Sequence, residues 1–172
     1  MDLVVIMIEH HIWLTGEMID RASVLTAAQL DSPIQISVTG IDQDPSIRSL
    51  LSRLVGQLDM WNHSMADRPY DFTIEDHETI GSMRARLATC GPTFLGHVRD
   101  ACERGTLDDT YVDATAGTPQ FFTYAGVVAH VLTYAAHRRT LVIGALDAAG
   151  ITDHEDDPLA WEPVRPTGPT AP

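Results

Sequence analysis

Eight histidines hold most of the chemistry open to this chain: His10, His11, His63, His77, His97, His130, His137 and His154. Position matters more than number. His63, His77 and His154 lie in or beside segments with loop composition, and His97 follows Gly96, so an ordinary surface role is expected of all four. His11 instead falls within an apolar stripe at helical spacing. His130 and His137 are seven residues apart, on nearly one helix face and roughly 10 Å apart along it, with Tyr134 between them. Two readings are open. Three neutral imidazoles, His11, His130 and His137, suit Zn²⁺ or Ni²⁺ at about 2 Å if their helices meet. Alternatively they are packed histidines with hydrogen-bond partners.

Other chemistries lack their residues. The chain has no Lys, which excludes a Schiff-base lysine, lysine-anchored pyridoxal chemistry and a P-loop. HExxH, CxxC, GxGxxG and GxSxG patterns are absent as well. The pairs Asp108-Asp109 and Asp156-Asp157 read as solvated loop charges. With 24 acidic and 11 basic residues in 172, the net charge is −13, which argues against nucleic acid or an anionic membrane as partner. Cys90 and Cys102 fall in one helical stretch, ~18 Å apart, too far for a disulfide within it, and a reducing cytoplasm is expected. The apolar run at residues 3–8 follows no basic residue and is neither a signal peptide nor a membrane span.

Four helical stretches must position these groups. The first, residues 3–23, places Val4, Met7, Ile8, His11, Leu14 and Met18 on one side, with Ile6, His10 and Trp13 on an adjacent strip. A long connection follows, in which Ile34, Ile36 and Val38 alternate with polar residues like a short strand. Asp44 and Pro45 suit the start of the second helix, whose inward positions are Ile47, Leu50, Leu51, Leu54, Val55, Leu58 and Trp61. The third starts near Thr79, with a kink expected at Gly91-Pro92. Residues 105–122 read as loop, and the fourth helix runs from about Thr123 to Ala149, stopped by Gly150. The predicted fold is all-α, a four-helix bundle with long connections: residues 1–152 form the bundle, and 153–172 an acidic, then proline-rich, irregular and poorly packed tail.

Three segments, in their order and spacing, resemble the DinB-like superfamily of four-helix bundles: Glu9-His10-His11-Ile12-Trp13, Leu50-Leu51-Ser52-Arg53-Leu54-Val55 running to Trp61, and Ala129-His130-Val131 through His137-Arg138. The likeness covers roughly residues 5–150. That superfamily includes metal-dependent thiol S-transferases and mycothiol-dependent maleylpyruvate isomerases. The resemblance implies a divalent-metal site built from one histidine on the second helix and two ligands four apart on the fourth. His137 matches the last of these. Thr133 stands four before it and Arg53 at the second-helix position, and neither is a normal ligand.

The function expected from the resemblance is a metal-assisted transferase or isomerase that uses a low-molecular-weight thiol, mycothiol-like, on a small acidic substrate. The metal, Zn or Ni, would then use His11, His130 and His137 in a site moved within the bundle. Arg53, Tyr134 and Trp13 would contact the substrate, an arginine suiting its carboxylate. The alternative is a non-catalytic small-molecule-binding or stress-response module of the same fold, its metal lost; a third reading is a bundle whose task is dimerisation. A homodimer paired through helix faces is expected, with Trp61 extending such a face.

Overall fold

The structure is a computed structural model that describes residues 2–35, 42, 44–113, 118–153 and 156–165. It is mainly helical: α1 (Leu3–Ala22), α2 (Ala27–Leu30), α3 (Ile47–Met65), α4 (Ile80–Arg104), α5 (Tyr124–Ala148) and α6 (Pro158–Trp161), with a 3₁₀ helix at Phe72–His77. β1 (Thr110–Asp113) and β2 (Gln120–Thr123) form a small antiparallel hairpin pairing Tyr111 with Phe122.

Local chemistry sets the helix starts. Ser46 and Ser49 cap α3 reciprocally, the Ser49 N–H donating to the Ser46 hydroxyl at 3.1 Å and the Ser46 N–H to Oγ of Ser49 at 2.9 Å. Asp44, expected as this cap, is instead in a left-handed turn at φ 47°. Thr79 with Ser82 starts α4 in the same way, and Thr123 accepts from Gly126 N–H at 3.0 Å to start α5. Gly105, at φ 67°, ends α4. Pro92 does not end that helix. It lies on an exposed side, and the carbonyl it leaves free belongs to exposed Ala88, where water can serve it.

α3 is the element most covered by others, packing on α1, α4 and α5 as well as on the 3₁₀ helix and β1. Leu50, Leu51, Leu54, Val55 and Leu58 are fully buried, as the inward stripe required. On α1, Ile8, His11, Leu14 and Met18 point inward as expected, but Met7 is exposed and Val5 takes the core position. The connection expected to be featureless between the third and fourth long helices contains the β1–β2 hairpin. The extended stretch expected earlier in the chain is described only at Ile34, whose N–H donates to the Pro45 carbonyl at 2.7 Å; Ile36 and Val38 lie outside the described residues.

Two further expectations are corrected. The tail is packed at one point: α6 carries Trp161 back against α1, where it is 2% exposed, because a large indole gains more from burial than its polar neighbours lose. Trp61 is buried among Phe122 and His130, so it cannot extend an outward face for pairing. Among the described residues, no helix is long and apolar enough to cross a membrane.

Candidate functional site

The seam between α3 and α5 holds two buried polar side chains, Gln57 and Arg138. Gln57 and Trp61 are four apart on α3 and therefore share the face turned to α5. Gln57 is 1% exposed; its Oε1 accepts from Arg138 Nη1 at 3.2 Å, while its Nε2 has no partner among the described residues. Nε1 of Trp61 is likewise buried without a partner among them. The indole meets Phe122 and His130 edge to face, each with ring centroids 5.8 Å apart. Two buried N–H donors without acceptors on successive turns of one helix are unusual, since nearly all buried polar groups are satisfied.

α5 supplies the opposite wall. Its buried stripe runs Val127, Val131, Ala135, Arg138, Val142 and Leu146, so Arg138 occupies a core position. Asp42 accepts from Arg138 Nε at 2.9 Å, and the guanidinium lies 5.5 Å from the centre of the Tyr134 ring. Beside this stripe His130 and Tyr134 stack at 4.5 Å, and His137 follows 6.2 Å from Tyr134. Desolvation holds the His130 pKa below its ordinary value, and the positive charges of Arg138 and Arg53 add to the effect. His130 is therefore neutral at neutral pH, in a positive local field.

Arg53 reaches this field from the side. Its Nη1 donates to Glu75 Oε1 at 2.6 Å, and the guanidinium lies 5.8 Å from the Phe72 ring centre. Glu75 also accepts from the Tyr70 hydroxyl at 2.9 Å. That carboxylate presses so closely on Gly56 that a Cβ there would stand 2.2 Å from Oε1, which is why α3 carries a glycine at this point. Below it, Glu78 is paired with Arg86 and accepts from the Ser52 hydroxyl at 2.5 Å; burial pushes its pKa up.

The remaining expected site residues lie elsewhere. His11 is 1% exposed and faces Arg139 of α5, whose Nη1 stands 2.8 Å from Nδ1. A guanidinium only donates, so Nδ1 accepts and the proton sits on Nε2. Burial above all, then Arg139 and His10, lowers the pKa of His11 to about 3. With one nitrogen accepting from a cation and the other protonated, His11 has no lone pair for a metal. His130 and His137 are exposed on α5, with Tyr134 between them, and Thr133 lies on the apolar groove between α1 and α5. Trp13 belongs to a separate cluster with His10 and Trp161. Among the described residues no three His, Cys, Asp or Glu side chains are grouped to hold a metal ion, so the donor set does not fit one. Both cysteines are free, but burial pushes both thiols up, that of Cys90 to about 12, which disfavours the thiolate a nucleophile needs.

The structure thus brings together His130, Tyr134 and the charge of Arg53, and leaves out His11 and Trp13. The residues that sequence reasoning missed are Gln57 and Arg138. Both had a signal, each being a polar residue at a position of an otherwise apolar helical stripe. Set against protein-family models, curated proteins and solved structures, the chain matches none of them.

Proposed function

We propose that the four long helices form a DinB-like four-helix bundle whose metal has been lost, and that the α3–α5 seam binds a small carboxylate-bearing molecule. The unpartnered donors Gln57 Nε2 and Trp61 Nε1 carry this reading. A carboxylate presents two acceptor oxygens, one for each donor, and hydrogen bonds to a charged group are stronger than neutral ones. Arg138 and Arg53 set a favourable potential for an anion, already felt at His130. Gln57 is held in orientation by Arg138 through its Oε1, which fixes its amide N–H₂ as the group left to donate. His130 and Tyr134, stacked on each other at 4.5 Å, line the outer edge of the seam and give the organic part of the ligand an aromatic surface to pack against.

Calorimetric titration with maleate, succinate and pyruvate tests this. Saturable binding of at least one of them is expected, weakened about tenfold or more in Gln57→Leu, which keeps the volume and removes the donor. Equal affinity in that variant overturns the reading. The row of His130 and His137 on one face of α5 favours the second reading, a metal-assisted, mycothiol-like thiol transferase or isomerase. Stoichiometric zinc or nickel in the purified protein, lost in His137→Ala with helical content kept, would carry that reading instead.

A further inference from the structure

A cavity of about 430 Å³ lies where the C-terminal segment returns to the long helices; its walls include Glu9 and Trp13 of α1, Pro92 and Leu95 of α4, and Trp161 and Val164. It shares no residue with the α3–α5 seam. Two indoles belong to its wall, the half-buried Trp13 and the buried Trp161, with ring centroids 6.2 Å apart and planes tilted by 35°. His10 backs both, at 5.8 Å from Trp13 and 5.3 Å from Trp161. The lining is apolar except at its rim, where Glu9 is paired with Arg99 through Oε1. Oε2 of Glu9 is buried and has no partner among the described residues.

These features select a ligand. The half-buried ring of Trp13, with Trp161 beside it, favours a flat apolar body, and the volume is that of a small organic ligand site. The unpartnered carboxylate oxygen calls for one hydrogen-bond donor. The charge of Glu9 is already matched by Arg99, so a cation would meet the guanidinium and an anion would meet Oε2. We propose that this corner is a binding site for a neutral, planar molecule of one or two fused rings, which packs on Trp13 beside Trp161 and donates one hydrogen bond to Glu9 Oε2. The Trp-bearing helical turn α6 then has a purpose beyond anchoring the tail: it builds the outer wall.

Indole and indene make a matched pair of probes, equal in shape, of which only indole carries an N–H. In ¹⁵N-labelled full-length protein the side-chain N–H signals of Trp13, Trp61 and Trp161 report separately, Trp61 standing in the other site. Indole is expected to move the Trp13 and Trp161 signals saturably and leave Trp61 in place, and indene to bind at least fivefold more weakly. Glu9→Leu, checked for helical content, should erase that preference, and Leu95→Glu, which sets a charge in the wall, should abolish the shifts. The proposal is overturned by a shift confined to Trp61, by no saturable shift, by equal affinity for the two probes, or by shifts that persist in Leu95→Glu.

Discussion

At the scale of single residues, the decisive facts are which ring nitrogen carries a proton and which donor lacks an acceptor. His11 illustrates the first. Its pKa is lowered to about 3 in the fold, so the unfolded chain, titrating near 6.5, takes up the proton more readily. Its contribution to stability is full above about pH 6.5 and is lost as pH falls from there toward 3. Between pH 6.5 and 5, above the range of most carboxylates, the loss from His11 alone should be about 2 kcal/mol. His10, His97 and His130, also shifted downward, act in the same direction. Urea titrations at pH 7 and pH 5 check this: His11→Gln should show a smaller decline than the wild type, and an equal decline would mean that the imidazole is not buried neutral against Arg139. None of this was legible in the spacing of His11, which marks it as inward-facing but cannot show that an arginine 128 residues later stands opposite it.

At the scale of elements, the long helices were legible because their apolar stripes and capping residues agree. Leu54 is the plainest case: it lies on the stripe and is fully buried. Leu54→Ala should cost ~2–5 kcal/mol in chemical denaturation, and a cost near the surface range of about half a kilocalorie would mean that this face of α3 is not inward. The hairpin was not legible. Tyr111-Val112 and Phe121-Phe122 are strand-forming residues, but each strand has only four positions, among Gly, Pro and Asp that read as loop. Side-chain partners, not helix phase, decided the site. Arg53 was expected at the ligand position; Gln57, one turn further on and on the same face, meets Arg138 of α5, while the Arg53 side chain pairs with Glu75. A Gly56→Ala exchange probes that arrangement. The added methyl meets the Glu75 carboxylate, so despite a better helix propensity of ~1 kcal/mol the protein should lose stability in thermal unfolding. A gain in melting temperature would show that Glu75 is not held there by Arg53 and Tyr70.

At the scale of the whole molecule, the net charge is −13, while at one seam Arg138 and Arg53 act on His130, a contrast that the proposed capture of a small anion would use. The groove between α1 and α5 is apolar and bordered by exposed Met7, and it is the face we propose for a second copy. A homodimer is expected in sedimentation at micromolar concentration, reduced to monomer by Met7→Glu; a wild-type monomer would remove that expectation. The central claim, carboxylate capture between α3 and α5, is most directly tested at the Trp61 side-chain N–H in a nuclear magnetic resonance titration with maleate. A saturable downfield shift of that proton, together with a rise in the pKa of His130 as the anion offsets Arg138 and Arg53, is the expected result. A Trp61 signal that stays in place while carboxylate binds, or a His130 titration that does not move, would contradict it.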